Sequence, residues 1–503
     1  MPLAESYKVK QLEVLLMIEM NDFPFQIFRA YDIRGKVDLL RPECVQAIAD
    51  ALANQFIKNG QSRISLGYDA RLTSPTFAHI IQNVFQQKNI QVIEIGCCST
   101  PQLYFAARQT AGNGIMVTAS HNPKTDNGFK WIMQSEPPSP EMIQEVGLQA
   151  EHYFQAYQEK YLQNKQFEAT QALTNNPSLV HQIKSEFCIP YQTAILKDIH
   201  LSKPLKVVID GLNGSAGYCA NLVLKKLGCE VIAIRCNADG NFPDHAPDPS
   251  QATHLELLRQ NVLNHQADIG IALDGDGDRV VILDEMAHII SADRLLALFA
   301  QMCLKDHPQH EIVFDVKCSS MVRQAVERLG GQAKMIRTGS SFLRKYMSQS
   351  KGRAVFGGEY AGHYVFNDGR GMGYDDGLYA ALRVMEYLCL FPKATLSEIL
   401  VHYPDRFYTE DTYISTHQTD PKVVLNEIEH LSQGFAAELS KIDGVRLDFE
   451  HGFGIIRASN TGEYFTVRFD ADCPIHLNEI RQTFASMLSD RYPMIAQDIL
   501  QAH

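Results

Sequence analysis

Three times along this chain a short apolar strand runs into an aspartate-bearing loop, a helix and a second strand, and that repeat restricts the fold most. The first unit runs from Ile64–Asp69 through a helical stretch at Phe77–Gln87 to Val92–Gly96. The second runs from Val207–Asp210 through Ala220–Leu227 to Val231–Ile234, and the third from Ile312–Asp315 through Val322–Leu329 to Lys334–Ile336. Paired strands lie roughly 20 to 30 residues apart, the length of a right-handed βαβ crossover, which implies mostly parallel, buried sheets. A chain of 503 residues is also too long for a single hydrophobic core.

Beyond about residue 403 the pattern changes. Thr409–Ser415 and Tyr464–Phe469 mix β-branched and aromatic residues with polar ones, like strands with one wet face, while Val423–Glu438 and Leu477–Leu488 have helical spacing. The expected fold class is therefore α/β, with three similar mixed-sheet α/β domains and a C-terminal α+β domain. The expected boundaries are an N-terminal extension at 1–24, then domains at 25–186, 187–289, 290–402 and 403–503. Gln134–Ser185 reads as an amphipathic helix followed by a connector around Asn175-Asn176-Pro177. Leu12–Ile18 faintly resembles a signal peptide, but Glu13 interrupts it, Glu19 and Asp22 follow, and no small-residue cleavage site appears. It reads as a short helix or a poorly ordered extension.

Charge and cysteine content narrow the function classes. The formal net charge is -12 and no Lys/Arg run occurs, so a general nucleic-acid partner is not expected. No segment reaches the roughly 18 apolar residues that would span a bilayer. The 11 cysteines include one adjacent pair, Cys97-Cys98, and no CxxC, which fits free thiols in a reducing, cytoplasmic setting. If the substrate is anionic, an acidic protein must concentrate cations in its site.

Two loops carry the strongest chemistry. Asp274-Gly275-Asp276-Gly277-Asp278-Arg279 joins the strands Ile269–Leu273 and Val280–Leu283. Three carboxylates at alternate positions, with glycines between, can fold around one hard cation and repel one another without it. An acidic hairpin turn is the bland alternative. An EF-hand is the sharper one, since Glu285 falls at loop position 12; however, Arg279 stands where that loop needs Gly, and an apolar strand follows. The second loop, Thr118-Ala119-Ser120-His121-Asn122-Pro123, follows the strand Ile115–Val117. Asn122 and Pro123 could simply start a helix. A Ser-His hydrolase is disfavoured because GxSxG is absent and, in an extended backbone, His121 would point away from its neighbour. A phosphorylated serine beside a cation is chemically sensible, because the cation neutralises the phosphoryl oxygens.

Together the two loops resemble the α-D-phosphohexomutase superfamily. Further motifs are similar in order: Phe28-Arg29-Ala30-Tyr31-Asp32-Ile33-Arg34-Gly35, Gly67-Tyr68-Asp69-Ala70-Arg71, Asn127-Gly128-Phe129-Lys130, Gly358-Glu359-Tyr360-Ala361-Gly362-His363 and Arg457-Ala458-Ser459-Asn460-Thr461. Asp315-Val316-Lys317-Cys318 is similar to the bacterial phosphomannomutase/phosphoglucomutase branch. The resemblance implies four domains around a central cleft and a monomer in the cytoplasm. It implies interconversion of hexose 1- and 6-phosphates, of mannose or glucose, through a phosphoserine and a 1,6-bisphosphate. Ser120 would carry the phosphoryl group, and Asp274, Asp276 and Asp278 would hold Mg2+ with an oxygen at Ser120. Arg34, His121, Lys130 and Arg279 would serve catalysis, with Lys130 or Arg34 helping to move the hydroxyl proton. Tyr31, Lys317, Glu359, His363, Arg457, Ser459, Asn460 and Thr461 would bind the hexose phosphate, and glucose 1,6-bisphosphate would activate. Arg34, Lys130 and Lys317 could instead be surface charges, Glu359 and His363 ordinary loop residues, and the Arg457 segment a turn. Alternatives are a glucosamine-phosphate mutase and a non-catalytic sugar-phosphate or Ca2+ binder. The chain departs from that branch at Ser340, where a His is usual, and at Ala361, where a Ser is usual.

Overall fold

A computed structural model describes residues 23–163, 185–459 and 462–502. Leu12–Ile18, Asn175–Pro177, Asn460 and Thr461 lie outside the described residues.

The first sheet holds β1 (Ile33–Lys36), β2 (Arg63–Tyr68), β3 (Gln91–Cys97), β4 (Gly114–Val117) and β5 (Asp126–Ile132), in the order β1-β5-β4-β2-β3. The second holds β6 (Lys206–Asp210), β7 (Glu230–Ile234), β8 (Ile269–Leu273), β9 (Val280–Leu283) and β10 (Ile289–Ile290), in the order β10-β9-β8-β6-β7. The third holds β11 (Glu311–Asp315), β12 (Gln332–Ile336), β13 (Ala354–Gly358) and β14 (Tyr364–Phe366), in the order β12-β11-β13-β14. In each repeat the first strand (β2, β6 or β11) pairs in parallel with the second and third. The next strand then turns back antiparallel beside the third.

These sheets are mixed, less parallel than the repeat alone implies. The physical reason is a short link after the third strand, because a βαβ crossover needs a dozen or more residues and a hairpin does not. Those short links are the serine loop between β4 and β5, the metal loop between β8 and β9, and the Glu359 loop between β13 and β14. Three motifs unrelated in sequence are thus the same turn in three copies of one unit.

β4, β8 and β13, each leading into one of these loops, are buried at every position. Apolar residues of the second and third units merge into one core, from Ile195 and Val207 to Phe356 and Leu388, whereas the first and fourth units keep their own. The fourth unit is an antiparallel sheet of β15 (Phe407–Tyr408), β16 (Thr412–Ser415), β17 (Glu438–Ser440), β18 (Val445–Phe449), β19 (Gly452–Ala458) and β20 (Tyr464–Ala471). The helix expected over Val423–Glu438 runs instead from Pro421 to Ser432. Asp420 caps its start, a turn at Gly434 follows its end, and Glu438 already belongs to β17. Buried charges join this unit to the third: Arg446 donates to the carbonyls of Val316 and Cys318 at 2.6 and 2.7 Å, and Arg468 lies 3.7 Å over the Tyr360 ring.

Candidate active site

Ser120 sits directly after β4 with φ of +52°, a left-handed conformation that costs energy for any residue but glycine and so needs support around it. Buried Arg71 supplies that support. Its guanidinium donates to the carbonyls of Ser120, Asn122, Pro123 and Asp126 at 2.6 to 2.9 Å, and its Nε pairs with Asp69 at 3.0 Å. Asp69 also accepts from Thr118 Oγ1 at 2.7 Å, and Thr118 in turn accepts from the Ser120 N–H at 2.8 Å. The loop is therefore held by fully partnered buried polar groups, which makes it rigid rather than merely folded.

The hydroxyl of Ser120 donates to Asp274 Oδ2 at 2.7 Å, which joins the serine loop to the metal loop. His121 Nδ1 lies 3.3 Å from the same hydroxyl. This corrects the expectation that His121 points away: that inference assumed an extended backbone, and the left-handed turn at Ser120 brings the ring round. Burial, with Arg279, Arg34 and Lys130 nearby, holds His121 well below its ordinary value, so its ring is neutral near pH 7.

Asp274, Asp276 and Asp278 place oxygens within 4.8 Å of one another, all buried. Burial, and then the charges of Asp278 and Asp276, push Asp274 up to about 8. The backbone N–H groups of Gly277 and Arg279 donate to its Oδ1 at 3.0 and 3.2 Å. Among the described residues, Oδ1 of Asp276 and Oδ1 of Asp278 are buried without a hydrogen-bond partner. Buried carboxylate oxygens left open in a converging triad fit a hard, oxygen-preferring cation such as Mg2+. Glu285 is turned elsewhere: it accepts from the hydroxyl and N–H of Ser397, so the twelfth ligand of an EF-hand is not aimed at this loop.

Cations surround the triad. Lys130, projecting from β5, reaches Asp276 at 2.8 Å and Asp278 at 2.7 Å. Burial works against its charge, but those two carboxylates outweigh it and hold the ammonium protonated. Arg34 pairs with Asp32 at 2.5 Å and donates to Asn122 Oδ1 at 3.0 Å. Arg279 Nε donates to His363 Nε2 at 2.9 Å, and His363 Nδ1 lies 2.8 Å from Asp375. Arg34 is 5% exposed and Lys317 7%, so neither is the solvated surface charge of the bland reading.

A second group of predicted residues lies where the third and fourth units meet. Glu359 is buried, accepts from the Gly339 N–H at 2.6 Å, and is pushed up to about 7, chiefly by burial. Lys317 pairs with Asp411 at 2.6 Å, and Arg457 with Asp443 at 2.7 Å. Asp443 also accepts from the Thr338 N–H at 3.2 Å, tying the Arg457 loop to the segment that carries Ser340. Tyr31 is partly exposed, and a side chain on Gly339 would meet its ring at 3.6 Å, so the first unit reaches the third here. Ser459 Oγ accepts from the Gly462 N–H at 3.1 Å. Contacts therefore run in series from the serine loop to the metal loop, to the Glu359 loop, and on to the Arg457 loop.

Several contributors were not singled out from sequence: Arg71 as a loop brace, Asp375 behind His363, Asp443 beneath Arg457, and Thr100, whose hydroxyl donates to Asp276 at 2.6 Å. Thr100 heads a helix fastened by a Ser99–Gln102 capping box. The Ser-Thr-Pro-Gln sequence signals that cap, but nothing in it signals the carboxylate 176 positions away.

Comparison with known proteins agrees along nearly the whole chain. Models of the phosphoglucomutase/phosphomannomutase α/β/α domains I, II and III match residues 25–156, 189–287 and 291–407. A phosphomannomutase/phosphoglucomutase of Pseudomonas putida is 36% identical over 469 residues, covering 92% of this chain and 96% of that protein. A phosphoglucomutase of Neisseria meningitidis serogroup A is 36% identical over 481 residues, covering 95% and 99%. The crystal structure of a phosphoglucomutase/phosphomannomutase family protein from Burkholderia thailandensis superposes with a TM-score of 0.80 at 30% identity, covering 93% and 98%.

Proposed function

Because the chain belongs to the phosphoglucomutase/phosphomannomutase family and is a phosphohexose mutase, we propose that it exchanges a phosphoryl group between Ser120 and a hexose phosphate. The substrates are the 1- and 6-phosphates of mannose or glucose, and a hexose 1,6-bisphosphate links them. The observation that carries this reading is the Ser120 hydroxyl, held in a left-handed turn 2.7 Å from a buried aspartate triad. The serine is buried, and the aspartate that accepts its hydroxyl belongs to the triad whose other two carboxylates keep open oxygens.

In the forward step the free hydroxyl of the sugar attacks the phosphorus of phosphorylated Ser120. The new O–P bond forms as the Ser120 Oγ–P bond breaks, and the attacking hydroxyl gives up its proton. Lys130 and Arg34 are held protonated by their ion pairs, so they stabilise the transferring oxygens rather than accept that proton. That proton passes to the leaving Ser120 Oγ, and the other way when Ser120 attacks the second phosphate; neutral His121, 3.3 Å from Ser120 Oγ, is the group placed to relay it. Bound at Asp274, Asp276 and Asp278, Mg2+ would supply the charge that neutralises the phosphoryl oxygens. Glu359 binds sugar hydroxyls, His363, with both ring nitrogens engaged by Arg279 and Asp375, positions Arg279 instead of reaching the sugar, and Lys317, Arg457, Ser459, Asn460 and Thr461 receive the phosphate remote from the serine. That pocket must accept both sugar orientations, since either phosphate occupies it in turn.

Intact mass tests the covalent step. After incubation with glucose 1,6-bisphosphate and Mg2+, the protein gains about 80 Da, and Ser120→Ala gains nothing while still binding glucose 6-phosphate. Full turnover by Ser120→Ala would overturn the proposal.

A further inference from the structure

Far along the fourth unit, the turn between β18 and β19 brings His451 against Asp472 and His476. His451 Nδ1 lies 3.2 Å from one oxygen of Asp472, and His476 Nδ1 lies 2.6 Å from the other. The two imidazoles stack with centroids 4.0 Å apart and planes 9° from parallel. We propose that His451, Asp472 and His476 form a second cation site, selective for a borderline transition metal such as Zn2+.

Three observations support this. The potential ligand atoms lie within 4.8 Å of one another, so turning one exposed imidazole out of the stack brings them to the ~3.3 Å that tetrahedral bonds of 2.0–2.1 Å would set. The backbone beneath is fixed: the Asp472 N–H donates to the His451 carbonyl at 3.0 Å, and Arg406 donates to that same carbonyl at 3.1 Å. Asp472 and His476 are held four residues apart at the start of the helix Pro474–Leu488. Ligands anchored this way lose little freedom on binding. The side chains are 45%, 42% and 31% exposed, which leaves room for water as a fourth ligand.

The donor set separates this site from the aspartate triad. Two imidazoles and one carboxylate suit zinc, cobalt or nickel, whereas an all-oxygen triad suits Mg2+. In neutral imidazoles the proton on Nδ1 can move to Nε2, freeing both Nδ1 atoms to bind without a net loss of protons from the rings. Because His451 and Arg406 share a hydrogen bond, a metal here would fasten the β18–β19 turn to the segment that enters the fourth unit.

The test uses tag-free, full-length protein in saturating Mg2+. Calorimetric titration with ZnCl2 should give one equivalent bound, and Zn2+ should raise the thermal midpoint. His451→Ala, His476→Ala and the double variant should lose both effects and keep Mg2+-supported mutase activity. Wild-type protein that takes up no Zn2+, or a double variant that binds it as wild type does, would overturn the proposal.

Discussion

Gly275 offers the sharpest test of how the serine and metal loops depend on each other. A Cβ at this position would sit 2.4 Å from the carbonyl oxygen of Ser120 and 2.9 Å from Pro247 Cγ. Carbon–oxygen contacts are comfortable only from about 3.3 Å, so Gly275→Ala must separate the two loops by ~0.9 Å. Neither side yields easily. Arg71 holds the Ser120 carbonyl at 2.7 Å, and the Ser215 N–H holds the Gly275 carbonyl at 2.9 Å. Overpacking of this kind costs about 1–3 kcal/mol of stability, which a folded chain usually survives. Catalysis is less tolerant, because a misplacement of about 1 Å costs on the order of 100-fold, or about 2.7 kcal/mol of barrier. The assay is the rate of glucose 6-phosphate formation from glucose 1-phosphate, coupled to NADPH production. Gly434→Ala, whose Cβ would meet only the Leu431 carbonyl at 3.5 Å, serves as the control and should match wild type. A Gly275→Ala protein within twofold of wild-type kcat/KM would refute the idea that the serine must stay pressed against the triad.

Three further outcomes are expected. Chelation with EDTA should abolish mutase activity and Mg2+ should restore it; Asp276→Asn should not be rescued at the same Mg2+ concentration. Arg457→Ala should raise KM for glucose 1-phosphate by about 10-fold or more, the loss of a charge-assisted hydrogen bond worth roughly 1.5–3 kcal/mol; an unchanged KM would remove Arg457 from the phosphate pocket. Glu359, raised in the folded chain to about 7, lends stability at acid pH that is lost as pH rises from its unfolded value through 7. Glu359→Gln should therefore gain up to ~2–3 kcal/mol relative to wild type at pH 8 and little at pH 5, seen as a difference in thermal midpoints, while binding substrate more weakly. Equal shifts at both pH values would show that burial of the charge is not the cause.

The repeat was legible in sequence because buried strands must be apolar and crossovers have a minimum length, and both constraints act locally. The same is true of the metal loop: three carboxylates with intervening glycines announce a cation whatever surrounds them. Residues that act at a distance were not legible. Arg71 reads as one more arginine after an aspartate, and its role appears only when four carbonyls of the 120–126 segment close around it. The direction of His121 is not legible either, because side-chain direction depends on backbone sign, and the positive φ of Ser120 is supported by the Arg71, Asp69 and Thr118 network rather than by the serine itself. Asp375 and Asp443 carry no motif of their own; each matters through a partner that folding delivers. The sequence by itself therefore determined the three-fold α/β plan and the kinds of chemistry in the loops. Only the tertiary structure decided which loops meet, which charges are paired and which carboxylate oxygens stay open. Those are properties of long-range packing, where burial makes every unpaired charge costly and so dictates its neighbours.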